Sequence, residues 1–480
     1  MVFSSTLFLF LFLPLTLLGY FMVGPRGKNA VLLCASLLFY AWGETVYLLV
    51  MLFSILSNYV FGLLIDRDQQ HGGQGRRAMI LAVVCNLGLL AFFKYANFVV
   101  ANLNTVFAMM QIPPLVLKPV HLPIGISFFT FQALSYIIDL YWQQTRVQKS
   151  LLNFALYKAL FPQLIAGPIV RYKDVALEID QRSVRLDDLA YGVQRFIIGL
   201  GKKVLIANVL GKAADYIFSL PPDRLPASLA WLGAIAYTLQ IYYDFSGYSD
   251  MAIGLGRVFG FHFLENFNYP YIAKSIREFW RRWHISLSSW FRDYLYIPLG
   301  GNKHGGARTS CNLLLVFFLC GLWHGANWTF IVWGLYHGCF LVLERTALAR
   351  NLIERLPRIL QHGYVLVVVV IGWIFFRAET LDYALGYLSA MFQFSTPALF
   401  NSYLFLAINN EFYVALAIGL VGMGPIQAFF QHRETRTASP PWWNGRPCRI
   451  AGLCSLVFIL VYSVASLMGG AHNPFLYFRF

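Results

Sequence analysis

The chain alternates long apolar runs with short polar segments over most of its 480 residues. A helix needs about 20 consecutive apolar residues to cross the hydrocarbon core of a bilayer. Runs that meet or approach this length lie at 3–23, 46–65, 78–98, 122–142, 229–246, 363–376, 411–431 and 450–468. Shorter or interrupted runs lie at 29–42, 191–218, 311–323 and 328–345. The pattern predicts an all-α polytopic membrane protein with about eleven or twelve passes.

Composition supports this class and changes how the positive charge is interpreted. Hydrophobic residues make up 58% of the chain and charged residues only 12%, against about 25% charged in soluble domains. The formal net charge of +15 would indicate nucleic acid binding in a soluble protein. Here Lys and Arg lie in short loops between apolar runs, as expected where positive loops stay in the cytoplasm. We therefore predict a lipid environment and no nucleic acid partner.

The basic loops also predict the orientation of the chain. They lie at 24–28, 66–77, 143–150, 171–185, 271–308, 345–358 and 432–449. Alternate counting from these loops places both termini outside the cytoplasm, with residues 469–480 as an extracytoplasmic tail.

Residues 160–169 interrupt the pattern, because Pro162 and Pro168 break the backbone between two basic loops. That segment is compatible either with a re-entrant dip into a cavity or with a kinked helix end near the surface.

A basic, tryptophan-rich stretch follows residue 276. If residues 277–294 form one helix, a polar stripe runs along it, and tryptophans form a second stripe roughly 110° away. The polar stripe consists of Arg277, Arg281, His284, Ser288 and Arg292. Such a helix lies at the membrane interface. Its arginines either bind anionic lipid or line a cytoplasmic mouth for an anionic molecule, such as a coenzyme whose phosphates pair with guanidinium groups.

A histidine within an apolar region is the strongest candidate for chemistry. His324 lies between the apolar runs 313–319 and 330–335, with small residues beside it and Asn327 one turn further on. An ionisable side chain at membrane depth costs a few kcal/mol and indicates function by default. His337 lies beside Cys339 and Phe340, where a packing role is expected. Carboxylates and hydroxyls at 242–250 are compatible with the same cavity, but a capping network that ends a helix is favoured.

Three classes of function remain open at this point. A histidine base without a protein nucleophile fits direct acyl transfer from a thioester to an alcohol. A proton-coupled transporter also uses intramembrane histidines, although its expected inverted repeat is not found. A non-catalytic scaffold of a polysaccharide export complex would not need His324. The seven cysteines show no paired spacing, so they predict neither a disulfide framework nor a metal site.

Six ordered motifs carry a resemblance to a known family. They are MVFSS at 1–5, LPIGISF at 122–128, LIAGP at 164–168, DFSGYSDMA at 244–252, FWRRWHISLS at 279–288 and WHGAN at 323–327. Together they resemble the membrane-bound O-acyltransferase family, in its bacterial branch acting on cell-surface polymers. That branch includes proteins for O-acetylation of alginate, cellulose and peptidoglycan, and for D-alanylation of teichoic acid.

The resemblance implies one domain over residues 1–480, with a ring of helices, and with re-entrant and interfacial helices, around a central acyl-transfer cavity. It implies a bacterial inner-membrane enzyme that takes acetyl groups from a cytoplasmic donor, expected to be acetyl-CoA, with no bound cofactor. The acetyl groups pass to an extracytoplasmic acetyltransferase partner, which modifies an exopolysaccharide.

The resemblance also assigns roles to individual residues. His324 matches the family's invariant histidine and His284 its second functional histidine, and we expect Asn327 to orient His324. We expect Arg277, Arg281, Arg282 and Arg292 to bind the donor. The end of the chain, Phe475 to Phe480, resembles a C-terminal motif whose tyrosine carries the acyl group, which makes Tyr477 the carrier candidate; an aromatic belt anchoring the last helix is the alternative. Alginate, cellulose and, more distantly, D-alanyl transfer remain open.

Overall fold

The computed structural model describes residues 2–165, 167–393, 408–424, 446–470 and 473. These residues form helices joined by turns and loops, without a β-strand in the described ranges. Within the described ranges, five helices are long and apolar enough to cross a membrane. They are Leu48–Gln70, Arg76–Met109, Gly305–His324, Arg358–Arg377 and Ile450–Met468. The predicted all-α polytopic membrane class is confirmed, while the number of passes stays a prediction.

The described residues fall into two compact units, so one domain over the whole chain also stays a prediction. The first unit contains residues 1–192 and 255–264. Its helices are α1 (Leu13–Met22), α2 (Lys28–Ala41), α3 (Leu48–Gln70), α4 (Arg76–Met109), α5 (Ile126–Tyr141), α6 (Leu151–Ala159), α7 (Phe161–Leu164) and α8 (Tyr172–Asp180). Helices α3, α4 and α5 pack against one another.

A buried pair of asparagines joins two long helices of the first unit. Asn58 of α3 and Asn86 of α4 exchange side-chain hydrogen bonds of 3.1 and 2.8 Å. Each side-chain nitrogen also donates to a carbonyl oxygen one turn earlier in its own helix, that of Ser54 or Ala82, at 2.8 Å, so the hydrogen-bonding groups of both buried amides are paired. The proline-rich segment at 160–169 breaks the chain into the four-residue α7, whose residues are all buried. Broken backbone is therefore covered by protein here, as a non-helical segment at membrane depth requires.

The second unit contains residues 193–254 and 265–480. Helices α9 (Leu186–Gly201) and α10 (Asn208–Ile217) flank a π-helical segment, Lys202–Ala207, and α11 spans Ala227–Val258. Then come α12 (Ile276–Arg282), α13 (Ile285–Phe291), α14 (Gly305–His324), α15 (Trp328–Leu343), α16 (Ala347–Arg355), α17 (Arg358–Arg377), α18 (Leu381–Ala390), α19 (Asn410–Gly422) and α20 (Arg446–Met468). Helix α15 packs against both α14 and α17.

The predicted helix end at 242–250 is wrong. Helix α11 continues to Val258, and both carboxylates of this segment lie within it. Asp244 forms a 2.7 Å ion pair with Lys203 of the π-helical segment, and both side chains are at most 4% exposed. Asp250 pairs with Lys202 and with Arg195, at 2.6 Å in each case. The carboxylates thus bind cations from a neighbouring helix and do not cap the end of their own.

Candidate active site

The site is built around a tight pair of helices, α14 and α15. Gly321 and Gly334 let the two backbones approach closely. A Cβ atom on Gly321 would lie 2.3 Å from the Phe330 carbonyl oxygen, and one on Gly334 would lie 2.2 Å from that of Phe317. Larger side chains at these two positions would push the helices apart. Two successive apolar helices therefore meet in a short turn, at the point where α14 ends.

His324 is the last residue of α14 and lies at this turn. Its imidazole is surrounded by aromatic rings of Trp323, Trp333 and Phe376, with centroid distances of 4.9, 5.0 and 5.1 Å. Only 7% of the residue is exposed. The predicted burial of this histidine is confirmed, and its ring is held in a pocket from which aromatic side chains exclude most water.

Asn327 shapes the turn that follows His324. It is the N-cap of α15, and its side-chain oxygen accepts a hydrogen bond of 3.2 Å from the Thr329 backbone N–H. Its amide nitrogen donates to the Glu379 carbonyl oxygen at 2.8 Å. Capping of this kind satisfies a backbone donor that the helix cannot pair internally. Asn327 thus fixes where α15 begins, shortly after His324.

His284 lies where the sequence predicted the middle of a continuous helix, and that prediction is wrong. The chain forms two short helices, α12 and α13, and His284 separates them in a left-handed conformation with φ of 44°. A non-glycine residue in this conformation is uncommon and often marks a functional site. The predicted stripe of His284 with the arginines therefore does not exist, because the break rotates His284 away from them.

The break places His284 close to the first histidine. Its Nδ1 atom lies 3.2 Å from the Asn266 side-chain oxygen, and its ring packs against Phe245 at 4.6 Å. The indole of Trp323 contacts both imidazoles, at 6.2 Å from His284 and 4.9 Å from His324. His284 is 1% exposed, and its Nε2 has no hydrogen-bond partner within the described part of the chain. That nitrogen remains able to bind a polar group of a ligand.

An arginine-lined cavity of about 310 Å³ lies beside α12 and α13. Three of the four predicted donor-binding residues line it, namely Arg277, Arg281 and Arg292. Arg345 also lines the cavity, and sequence analysis missed this residue. The basic loop at 345–358 predicted only the side of the membrane on which Arg345 lies. The proximity of Arg345 to α12 depends on tertiary packing, which the sequence pattern does not report.

Arg282 is the one predicted donor-binding arginine that lies outside the cavity lining, although Arg292 also pairs with a carboxylate, that of Asp293, at 2.6 Å. The guanidinium of Arg282 lies 2.8 Å from the Glu278 carboxylate. Partial burial raises the pKa of Glu278, but hydrogen bonds from the Lys274 N–H and the Arg282 guanidinium outweigh it, so the pKa lies below its ordinary value. The ionised carboxylate neutralises Arg282. Its predicted donor-binding role stays a prediction.

A buried carboxylate holds α12 in place beside the cavity. Glu344 is 5% exposed, and it accepts hydrogen bonds from the backbone N–H groups of Ile276 and Arg277, at 2.6 and 3.0 Å. The Tyr364 hydroxyl donates to it at 3.2 Å. An acidic group at a helix N-terminus satisfies unpaired donors and is stabilised by the helix dipole. Glu344 therefore fixes the direction in which Arg277 and Arg281 enter the cavity.

The inner end of the cavity approaches His324 without including it. Cys320 lines the cavity and lies on α14 one turn before His324, on the same helix face. Trp280 also lines it and contacts Trp333 at 5.7 Å, and Trp333 in turn contacts His324. One helical turn and one indole therefore separate the cationic cavity from the buried imidazole. His337 is fully buried among the rings of Trp280, Trp333 and Tyr336, so its predicted packing role is confirmed.

Tyr477 and the other residues of 474–480 lie outside the described residues, so its predicted carrier role stays a prediction. The described site contains a cationic cavity, a buried histidine and a second histidine whose Nε2 has no hydrogen-bond partner among the described residues. Such an arrangement has groups suited to bind an anionic molecule at one end and to accept a proton at the other.

Comparison with known proteins identifies the family of the chain. The sequence model of the membrane-bound O-acyltransferase family matches residues 99–377, a range that contains His284, His324 and the four predicted arginines. A Pseudomonas aeruginosa protein named "Probable alginate O-acetylase" is 43% identical over the whole of both chains. A peptidoglycan O-acetyltransferase of Helicobacter pylori is 38% identical, over 82% of this chain and 80% of its own. A teichoic acid D-alanyltransferase of Bacillus subtilis is 30% identical over 45% of this chain and 58% of its own.

The family model covers more than half of the chain, and the alginate relative covers all of it. The residues that line the cavity and both histidines lie within the matched region. The chain belongs to the membrane-bound O-acyltransferase family.

Proposed function

We propose that this enzyme transfers acetyl groups from acetyl-CoA in the cytoplasm across the bacterial inner membrane, for O-acetylation of an exopolysaccharide. The observation that carries the proposal is the arginine-lined cavity, which ends one helical turn from the buried His324. Guanidinium groups suit the phosphates of coenzyme A, and an apolar inner end suits its thioester arm. Family membership removes the reason to prefer a transporter or a scaffold.

The chemical step is a direct transfer from sulfur to oxygen. The acceptor hydroxyl oxygen attacks the carbonyl carbon of the acetyl thioester, and the carbon–sulfur bond breaks. The hydroxyl proton passes to the imidazole of His324 and then to the leaving thiolate. General-base assistance of this kind typically contributes ~10²–10⁴-fold to the rate. His284, whose ring contacts the same tryptophan, helps to position the donor. Its Nδ1 donates to the Asn266 side-chain oxygen, so its Nε2 is left to accept a hydrogen bond from the donor.

The polymer is proposed from the relatives. The relatives named for alginate O-acetylation match the full length of this chain, whereas the D-alanyltransferase of Bacillus subtilis matches less than half of it. This difference favours acetylation of an alginate-like exopolysaccharide over D-alanyl transfer. Cellulose remains a second acceptor that the sequence predicted.

Delivery to the polymer involves the tail and a partner. We place Tyr477 as the hydroxyl that receives the acetyl group and presents it to an extracytoplasmic acetyltransferase. A phenol becomes a useful nucleophile when a neighbouring base removes its proton. In this proposal His324 is that base, and the partner takes the acetyl group from the tyrosine ester to the polysaccharide.

Removing the acceptor hydroxyl tests the tail. Tyr477→Phe keeps the aromatic ring and is expected to abolish polymer acetylation, because no oxygen remains to take the acetyl group. Tyr462→Phe on α20 is the matched control, since this tyrosine is 47% exposed on the last helix. Acetyl content of the secreted polymer is measured for both variants. Acetylation at the wild-type level in Tyr477→Phe would rule out the carrier role of Tyr477.

Donor binding is tested by a matched pair of arginines on one helix. Arg281→Ala removes a cation that lines the cavity and is expected to raise the KM for acetyl-CoA about tenfold, as loss of a charge-assisted contact does. Arg282→Ala removes the neighbouring cation, which Glu278 already neutralises, and is expected to change KM less than about threefold. Steady-state kinetics in inner-membrane vesicles measure both. Equal effects of the two substitutions would contradict assignment of the cavity to the donor.

A further inference from the structure

A second polar cluster lies in the second unit, outside the arginine-lined cavity. It forms where α11 meets α10 and the π-helical segment before it. Lys203 pairs with Asp244, and one turn away on α11 the Gln240 side chain packs against Gly211 of α10. Asn208 lies between Lys203 and Gly211 in the sequence and is 3% exposed. A row of buried polar side chains therefore follows this helix contact.

Part of this cluster is not satisfied by the described residues. Gln240 is 1% exposed, and neither its amide nitrogen nor its amide oxygen has a hydrogen-bond partner in the described ranges. The same holds for the side-chain oxygen of Asn208. Each unsatisfied buried group costs about 1–3 kcal/mol. Such groups in a native structure call for an explanation, and an occupant that supplies the missing bonds is one.

One described contact identifies the occupant. The side-chain nitrogen of Asn208 donates a hydrogen bond of 3.2 Å to the side-chain oxygen of Asn473. Helix α20 ends at Met468, so the chain returns to α10 soon after that end. The residues that follow Asn473 run to Phe480, and a segment of this length spans about 23 Å when extended. Asn473 is thus held beside Asn208, and the chain that follows it is long enough to reach Gln240.

We propose that Asn208 and Gln240 form a docking site for the C-terminal segment of this same chain, from Asn473 onward. Asn208 holds the Asn473 side chain, and the Gln240 amide, which has both a donor and an acceptor, pairs with the peptide backbone that follows. Peptide groups offer the complementary donor and acceptor, so a single extended strand satisfies both atoms of the amide.

The docking site is linked to the active site through α10. Asp215 lies on α10 two turns after Asn208, about 10 Å along the helix and on the same face. Its carboxylate binds Arg377 at 2.8 Å, and the preceding residue, Phe376, contacts His324. The extended chain from Asn473 to Tyr477 spans about 13 Å. Docking therefore keeps the C-terminal segment close to α10. Whether this helps catalysis rests on the proposed role of Tyr477 as acyl carrier.

A double-mutant cycle tests the docking independently of acetyl transfer. The seven native cysteines are replaced by serine, Ala471→Cys supplies one label site shortly before Asn473, and the full chain is purified in detergent. The rate of maleimide labelling is compared for Asn208→Ala, Asn473→Ala and both together. Each single substitution is expected to raise the rate about fivefold, as loss of one neutral hydrogen bond does. The double substitution should add little, since both remove the same bond.

Asn58→Ala, which breaks the equivalent buried asparagine pair with Asn86, is the control and should leave labelling at position 471 unchanged. Asn473→Ala removes the same hydrogen bond by changing its partner in the tail. Its effect therefore does not depend on whether an Asn208 variant folds. Unchanged labelling in Asn473→Ala, or fully additive effects, would overturn the docking site. Increased labelling together with wild-type acetylation by Tyr477→Phe would keep the docking site and reject the carrier role.

Discussion

His324→Gln is expected to lower acetyl transfer by at least about 10²-fold, the lower end of the contribution that a positioned general base makes. Glutamine keeps much of the volume of the side chain and its capacity for hydrogen bonding, but it cannot relay a proton. The aromatic rings of Trp323, Trp333 and Phe376 still surround the substituted side chain. The amount of this protein in the membrane should therefore not change. Radiolabel transfer from acetyl-CoA, normalised to protein amount, measures the effect.

His337→Gln is the matched control for this substitution. His337 is also fully buried and contacts the same Trp333 indole as His324, but it lies one helix further on, within a packed aromatic cluster. Its substitution is expected to leave transfer within about threefold of wild type once protein amount is taken into account, because a packing residue makes no proton transfer. An equal loss in both variants would mean that His324 acts through packing, and would remove the base from the mechanism.

Breaking the Lys203–Asp244 ion pair is expected to have the largest effect on stability. Both side chains are at most 4% exposed and lie 2.7 Å apart. Removing one partner of a buried pair leaves the other charge uncompensated and costs about 3–5 kcal/mol. Asp244→Leu alone should therefore lower the free energy of unfolding strongly, and Lys203→Met in the same chain should restore most of it. Denaturant unfolding of the purified protein in detergent measures the three variants.

Arg185 and Asp187 provide a surface pair for comparison. They lie 3.8 Å apart and are 75% and 93% exposed, so Asp187→Asn is expected to change stability by less than about 1 kcal/mol. If Asp244→Leu were no more harmful than this substitution, the pair would not be buried as described. Failure of Lys203→Met to rescue Asp244→Leu would show that the carboxylate has a role besides pairing with the lysine.

Much of the fold followed from the apolar pattern because bilayer thickness sets the length of a spanning helix. The run at 363–376 became α17, and the runs at 311–323 and 328–345 became the tight pair α14 and α15. Burial of His324 followed from the apolar segments on either side of it. These features are local, and a sequence pattern carries local information well.

The errors arose where distant residues decide the local conformation. A periodic pattern over 277–294 predicts one helix, but the chain breaks at His284, where Asn266 binds both its ring and the backbone N–H of Ser286. Two carboxylates near 242–250 resemble a helix end until their cationic partners on the π-helical segment are known. Arg345 lines the cavity and Arg282 does not, because tertiary contacts decide which charged side chains face a ligand.

The central claim is that His324 relays the proton while acetyl passes from acetyl-CoA to an acceptor hydroxyl. The most direct test incubates the purified full-length enzyme and its extracytoplasmic partner with radiolabelled acetyl-CoA, using wild type, His324→Gln and His337→Gln. We expect rapid labelling of wild type and His337→Gln, and labelling of His324→Gln slower by at least about 10²-fold. Labelling of His324→Gln at the wild-type rate would show that His324 does not relay the proton.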